Sequence, residues 1–251
     1  MDISIDTRDD SPGTSVTKFS RDFSYKCFGR GASQTCGAQI YVSHYCIIYV
    51  DSSFLHGHLR YSHLRACLNS KTVKRVVYTS SIAAVASSGN IDGQVVDESF
   101  WSNVDFLRAR KRFRDTYAIS KTLTEKAALE FAEQNGIDVV TILPSFVVGP
   151  FICPQLASSV YAVLAMAFGN KDLFWFPLHA VHVEDLARAY LFLFEHSNPK
   201  GRYICSSEYV TIERTYEFLS NKYPEFEVPA IDFLKEGREK YDLSSKKLLD
   251  A

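Results

Sequence analysis

The sequence lacks an excess of charge of either sign, since 28 Lys and Arg residues stand against 29 Asp and Glu residues. A chain without a strong field has no means of gathering nucleic acid or anionic lipid. It also lacks any uninterrupted apolar run near the roughly 18 residues of a membrane span, and its N-terminus is acidic and polar. These absences predict a cytoplasmic protein with small-molecule or protein partners, no nucleic acid and no membrane span.

Cysteine is also scarce, with six residues in 251 and no Cys-x-x-Cys pair. This number is too small for a disulfide framework in a chain of this length, so reduced thiols are expected. The cluster His56, His58, His63 and Cys67 offers ligand types that zinc prefers, but its spacing matches no structural zinc site. These four residues are therefore interpreted as unrelated side chains, with a metal site as the alternative.

The composition changes near residue 66. Residues 2–33 are rich in Ser, Thr, Asp, Arg and Gly without a sustained period, which predicts a poorly ordered tail. Residues 39–50 (QIYVSHYCIIYV) are β-branched and aromatic enough to form a strand. The expected organisation is an atypical, partly disordered segment 1–65, a sheet-forming segment 66–150 and a smaller lobe 151–251 that returns some elements to the sheet.

Beyond residue 66 the pattern alternates between strand and helix. Residues 73–80 (VKRVVYTS) predict a strand, residues 117–134 an amphipathic helix that stops at Gly136, and residues 137–143 a buried strand that stops at Pro144. Strand, helix and strand make a crossover unit, and the alternation predicts an α/β fold with a parallel sheet. The second lobe is expected to contain the following helices and strand: helix 158–168, strand 180–183, helix 184–195 and helix 211–222.

Tyr117 and Lys121 carry the most suggestive chemistry, because residues four apart share one face of a helix. An ammonium about 5 Å from a phenol favours the phenolate by about 3 kcal/mol at an effective dielectric of about 20. That interaction prepares the phenol to act as a general acid. The alternative is an ordinary surface pair, so the motif needs support from elsewhere.

Support comes from Thr79, Ser80 and Ser81, which end the preceding strand. Active sites of open α/β sheets lie beyond the carboxyl ends of the strands, where a serine hydroxyl can donate to a substrate carbonyl as negative charge develops on it. A strand ending in serine, followed by Tyr-x-x-x-Lys at the start of a helix and by a strand ending in proline, is far more specific than either motif alone.

With these motifs the chain from about residue 66 resembles the extended short-chain dehydrogenase/reductases of the NAD-dependent epimerase/dehydratase superfamily. Within them it is most similar to the dihydroflavonol reductase, anthocyanidin reductase, cinnamoyl-CoA reductase and vestitone reductase group, with vestitone reductase nearest. The resemblance rests on runs in the order of the family, namely NSKTVKRVVYTSS, VDESFWSNVDFLR, YAISKTLTEKAALEFAEQNGIDVVTILPSFVVGPF, VHVEDLARAYLFLFE, GRYICSS and SSKKLLDA.

The resemblance implies a Rossmann-like sheet and NADPH-dependent reduction of an aromatic ketone of flavonoid metabolism. Ser81 would bond the carbonyl, Tyr117 would deliver the proton, and Lys121 would hold the nicotinamide ribose and lower the tyrosine pKa. The family positions that line the cofactor correspond to Pro144, Val147 and Ser159.

Two further groups in the sequence have expected roles that lie outside the reaction. His182 and Asp185 fit a structural turn of the family better than a catalytic role. A basic run is expected to form a solvated approach to the active-site helix, with phosphate contact as the alternative, and it comprises Arg108, Arg110, Lys111, Arg112 and Arg114.

The sequence departs from the family before residue 66. Family members open with a strand and a Gly-x-x-Gly-x-x-Gly loop, whose amides hold the pyrophosphate at a helix N-terminus. No such triplet exists here, and in the nearest frame, at Gly29 and Gly31, Gln34 takes the third position. Residues 39–50 are expected to substitute for the missing neighbour of strand 73–80, and the nucleotide-binding front is expected to be missing, as in an incomplete or misassembled gene product.

Three functions follow from this combination. The first is an active ketone reductase. The second is a non-catalytic remnant or interaction partner that cannot bind the dinucleotide. The third, a sugar-nucleotide epimerase or hydroxysteroid dehydrogenase, shares the Ser, Tyr and Lys but not runs such as VDESFWS or GRYICSS.

Overall fold

The computed structural model describes residues 14–19, 23–28, 37–42, 45–49, 62–89, 91–110, 115–150, 158–164, 178–225 and 240–251. The strands are β1 (Thr14–Phe19), β2 (Phe23–Phe28), β3 (Gly37–Val42), β4 (Tyr45–Tyr49), β5 (Arg75–Thr79), β6 (Val95–Val96), β7 (Val139–Pro144), β8 (Phe146–Val148), β9 (Leu178–His182), β10 (Gly201–Cys205), β11 (Glu208–Val210) and β12 (Asp242–Leu243). The helices are α1 (Ser62–Ser70), α2 (Val104–Arg110), α3 (Asp115–Asn135), α4 (Ser158–Leu164), α5 (Val183–Glu195), α6 (Ile212–Lys222) and α7 (Lys246–Leu249). A 3₁₀ turn covers Ile82–Ala84.

The chain forms two compact units whose segments interleave along the sequence. The first comprises residues 1–89, 101–143 and 190–203, and the second comprises residues 90–100, 144–189 and 204–251. The organisation expected from the sequence, with segments 1–65, 66–150 and 151–251 and some elements of the last returning to the sheet, stays a prediction. The units interleave because the chain returns to the first unit through residues 190–203 after most of the second has been formed.

The first unit is built on a seven-stranded sheet in the order β1-β2-β3-β4-β5-β7-β10. β4 pairs in parallel with β5, and β5 pairs in parallel with β7. Helix α1 lies between β4 and β5 in the chain, and α3 lies between β5 and β7, so both parallel pairs are joined through helices, as parallel pairing requires. This confirms the predicted α/β fold with a parallel sheet.

The N-terminal part of this sheet differs from the sequence prediction. The single strand expected at residues 39–50 is instead the two antiparallel strands β3 and β4. The prediction of a poorly ordered tail at residues 2–33 is also wrong for the described residues, because β1 and β2 form an antiparallel pair there. In β2, Phe23, Tyr25 and Cys27 alternate with polar residues, a short period-2 pattern typical of a strand. As the sequence hypothesis required, β4 lies beside β5.

The centre of the first unit follows from its sequence. Every residue of β5 and β7 is buried, as expected for apolar strands of a parallel sheet covered on both faces. Leu64 and Cys67 of α1 and Ala128 and Phe131 of α3 pack in one cluster with Tyr78 of β5. Helix α3 confirms the predicted helix 117–134 and extends it by two residues at the start and one at the end. It stops before Gly136, whose φ of 64° lies in the left-handed region that favours glycine.

The second unit contains two small sheets. One has the order β11-β9-β8, with β8 parallel to β9, and the other pairs β12 with β6. Helices α5 and α6 match the predicted helices, and Thr211 begins α6 by accepting a hydrogen bond from the Arg214 amide at 3.2 Å. Helix α4 matches the start of predicted helix 158–168, whose later residues lie outside the described ones. In the described part of the chain, no helix is long and apolar enough to cross a membrane.

Candidate active site

Ser81 stands at the carboxyl end of β5, where the strand turns into the 3₁₀ turn. Its backbone is extended, with φ −165° and ψ 154°, and its Oγ accepts a hydrogen bond from the Ala83 amide at 3.2 Å. The preceding residue, Ser80, extends the sheet because its amide donates to the Ile142 carbonyl at 2.8 Å. Both backbone and cap geometry therefore hold the Ser81 hydroxyl at the strand end that sequence reasoning singled out.

Tyr117 and Lys121 share one face of helix α3 near its start. The Lys121 Nζ lies 5.8 Å from the centre of the Tyr117 ring. Tyr117 is 40% exposed, while Lys121 is only 1% exposed. Helix α3 packs against the 3₁₀ turn that follows Ser81. The phenol is therefore open to solvent, while the ammonium lies near the ring and away from water.

A second tyrosine, Tyr78, lies on the strand next to this site and was not singled out from the sequence. The pKa of Tyr78 is raised to about 12, chiefly by burial, with a hydrogen bond to Thr124 that lowers it and the charges of Glu125 and Tyr117 that raise it. Tyr78 therefore stays a neutral phenol at physiological pH and packs in the hydrophobic cluster. Of the two tyrosines, Tyr117 is the one that is exposed to solvent.

A buried carboxylate lies one helical turn beyond Lys121. Glu125 is fully buried, and each of its oxygens accepts a hydroxyl hydrogen bond at 2.6 Å, Oε2 from Ser80 and Oε1 from Thr141. Arg202 of β10 faces the same carboxylate with two bonds, Nε to Oε1 at 2.9 Å and Nη2 to Oε2 at 3.2 Å. The interval of four residues from Lys121 places Glu125 on the same helical face, but this spacing does not predict its burial.

The guanidinium of Arg202 is also packed by an aromatic ring. Its Cζ lies 3.5 Å from the centre of the Trp101 ring, and the Lys126 Nζ lies 4.9 Å from the same centre. The Trp101 ring therefore covers the buried guanidinium and shields it from water. We refer to Ser80, Glu125, Thr141 and Arg202 as the carboxylate cluster.

The residues expected to line the cofactor lie in the second unit. Pro144 ends β7 and Val147 lies in β8. Ser159, in the first turn of α4, donates from Oγ to the Val147 carbonyl at 2.8 Å, so these two are brought together. Next to Pro144, the buried Oγ of Ser145 has no hydrogen-bond partner among the described residues. A buried hydroxyl without a partner is costly, so a bound polar group would satisfy it.

His182 lies at the end of β9, against Gly149. An added Cβ at Gly149 would stand 2.8 Å from the His182 Nε2, and the φ of 132° at Gly149 is one that side chains rarely adopt. Asp185 forms an exposed ion pair with Arg188 at 3.6 Å. These contacts agree with the structural turn expected for this segment.

The remaining candidates from the sequence divide between described and undescribed residues. Arg108 pairs with Asp105 at 3.6 Å on the exposed side of α2, and Arg110 pairs with Asp115 at the start of α3. The rest of the basic run, Lys111, Arg112 and Arg114, lies outside the described residues. Of the histidine and cysteine cluster, His56 and His58 also lie outside them, while burial lowers the pKa of His63.

The fold and site have relatives among known proteins. The model of the NAD dependent epimerase/dehydratase family matches residues 57–205. Vestitone reductase of Medicago sativa is 52% identical over 191 residues, which cover 75% of this chain and 58% of that protein. Protein BRI1-5 ENHANCED 1 of Arabidopsis thaliana is 49% identical over 195 residues, covering 75% of this chain and 54% of that protein. Dihydroflavonol 4-reductase of Arabidopsis thaliana is 40% identical over 190 residues, covering 74% and 50%.

A solved structure gives the same comparison in three dimensions. The crystal structure of vestitone reductase from alfalfa matches with a TM-score of 0.67 and 49% identity, covering 76% of this chain and 62% of that one. The chain thus spans between 50% and 58% of the length of the curated relatives named above. The residues matched by the family model include Ser81, Tyr117 and Lys121.

Proposed function

The chain belongs to the NAD dependent epimerase/dehydratase family, and on that premise we propose that it reduces a ketone to an alcohol with NADPH. The proposed substrate is a flavonoid, an isoflavonoid or a related phenylpropanoid, the substrate class suggested by the names of vestitone reductase and dihydroflavonol 4-reductase. The observation that carries the proposal lies within the first unit. An exposed Tyr117 with a buried Lys121 beneath it occupies the helix that packs against the turn after Ser81.

Two features support a dinucleotide as the cofactor. The Lys121 ammonium is buried beside Tyr117, and we propose that it holds a ribose hydroxyl. In the second unit, Ser145 presents a buried hydroxyl that has no hydrogen-bond partner among the described residues. We propose Tyr117 and Lys121 as cofactor-binding residues of the first unit. For the second unit, taken by itself, we propose the same role for Pro144, Val147 and Ser159.

When bound, NADPH supplies the hydride for the carbonyl carbon. Ser81 donates a hydrogen bond to the carbonyl oxygen and stabilises the negative charge that develops there. Tyr117 transfers its hydroxyl proton to that oxygen, which yields the alcohol. The Lys121 ammonium stabilises the phenolate that remains on Tyr117. Tyr78 does not compete for this role because burial holds its pKa at about 12.

A second candidate function rests on a specific observation. The sequence contains no Gly-x-x-Gly-x-x-Gly loop, and β1 to β4 form an antiparallel succession where a nucleotide-binding half would contribute parallel strands joined by helices. Losing two or three charge-assisted hydrogen bonds to the pyrophosphate would weaken NADPH binding on the order of a thousandfold. The alternative is therefore a protein that keeps the site but acts as an interaction partner.

An assay of NADPH oxidation separates the two candidates. The purified chain is mixed with NADPH and either vestitone or a dihydroflavonol, and absorbance of the reduced cofactor is followed with product analysis. We expect turnover with a kcat on the order of 1 s⁻¹ for at least one of the two probes. Absence of any product with both probes at saturating NADPH would leave the interaction partner as the better account.

A further inference from the structure

The Ser80 side chain connects the proposed catalytic serine to a buried anion. Ser80 precedes Ser81 directly, its amide bonds the Ile142 carbonyl of β7 at 2.8 Å, and its Oγ bonds the Glu125 Oε2 at 2.6 Å. A residue held at both its backbone and its side chain has little freedom to rotate. The direction in which the chain leaves the strand, and so the position of Ser81, is thereby fixed.

The same carboxylate is attached to the helix that carries the other two proposed catalytic groups. Glu125 lies four residues after Lys121 and eight after Tyr117 on α3, so all three occupy one helical face. Its bond to Ser80 therefore joins this face directly to the end of β5. A change in that bond alters the separation between the Ser81 hydroxyl and the Tyr117 phenol.

We propose that Glu125 is a positioning residue, which acts through Ser80 to set the Ser81 hydroxyl in register with Tyr117 and Lys121. This inference rests on the proposed reductase function, because it assigns the cluster a role in that reaction. Arg202 orients the carboxylate through its two bonds, so Oε2 stays directed at the Ser80 hydroxyl. A ketone oxygen then meets the Ser81 donor and the Tyr117 donor at the same time.

The two hydroxyl bonds to Glu125 provide a matched pair of variants. Ser80→Ala removes the hydrogen bond to Oε2 from the residue directly before Ser81. Thr141→Val removes the hydrogen bond of equal length to Oε1 from a residue of β7. Both variants leave the Arg202 pair in place, so both are expected to fold. If the carboxylate cluster has only a structural role, the two variants should lower kcat equally. If Glu125 positions Ser81, Ser80→Ala should lower kcat more than Thr141→Val.

Steady-state kinetics of ketone reduction measures the difference. We expect Ser80→Ala to lower kcat by about 30-fold with KM for the ketone within about threefold, since misplacing a catalytic group by about 1 Å costs on the order of a hundredfold. Thr141→Val is expected to lower kcat by no more than about threefold. Equal losses of kcat in the two variants, in an active wild-type protein, would overturn the proposal.

Amide hydrogen exchange gives a second readout that does not require activity. Ser80→Ala is expected to speed exchange at Ala83 and Ala84, whose amides bond Ser81 Oγ and Ser81 O, by about tenfold more than Thr141→Val does. If the wild-type chain shows no reductase activity but exchange rises only in Ser80→Ala, the reductase function fails while the positioning of Ser81 by the cluster stands. Equal exchange rates at Ala83 and Ala84 in the two variants would contradict the positioning role, whether or not the chain is active.

Discussion

We expect Tyr117→Phe to lower kcat for ketone reduction by about a thousandfold, because the variant keeps the ring but loses the proposed proton donor. General acid catalysis by a positioned group contributes about 10²- to 10⁴-fold, and the expected loss lies within that range. Tyr117 is 40% exposed, so removing its hydroxyl leaves the core of the first unit unchanged. The measurement is steady-state NADPH oxidation with a ketone that the wild-type chain reduces, compared at equal protein concentration.

A matched control is Tyr223→Phe, at another partly exposed tyrosine that follows α6. That variant is expected to retain kcat within about twofold. The free energy of unfolding of both variants is expected to lie within about 0.5 kcal/mol of the wild-type value. A Tyr117→Phe protein that reduces the ketone at a rate within tenfold of the wild type would show that another group delivers the proton.

Replacing Glu125 by alanine lowers the free energy of unfolding by about 3 to 5 kcal/mol, the second large effect that we expect. The substitution leaves the Arg202 guanidinium buried without its carboxylate, and breaking a buried pair from one side costs this much because a charge stays uncompensated. The Ser80 and Thr141 hydroxyls lose their acceptor as well. Urea unfolding followed by circular dichroism measures the change through its midpoint and slope.

Two further variants distinguish the buried charge from a general effect on the helix. Glu130→Ala lies on the exposed side of the same helix and is expected to change stability by less than about 0.5 kcal/mol. The double variant Glu125→Leu/Arg202→Met removes both charges, and we expect it to be at least about 2 kcal/mol more stable than Glu125→Ala. If the double variant were less stable than Glu125→Ala, charge burial would not be the cause.

The part of the fold that local sequence pattern determines was predicted well. The helix that carries Tyr117 and Lys121 has a clear helical period and ends at a glycine, and β5 and β7 are short, mostly apolar segments. Such signals depend on neighbouring residues only. The spacing of Tyr117 and Lys121 on one face followed from the helix alone.

Other features depend on distant residues and were not predictable in the same way. The sequence run at residues 39–50 carries no strong turn signal, so the break between β3 and β4 was missed. The partners of Glu125 come from residues 80, 141 and 202, which only the folded sheet brings together. Burial of a glutamate is unexpected from sequence unless its partner is known.

The central claim is that this chain uses NADPH, and a titration of the purified chain with NADPH by calorimetry tests it most directly. We expect saturable binding with a Kd in the micromolar range, corresponding to about 8 kcal/mol of binding free energy. Lys121→Met is expected to weaken that binding by at least about tenfold, since the proposed ribose contact is lost. An absence of binding at millimolar NADPH would contradict the account and leave a reductase fold without its reaction.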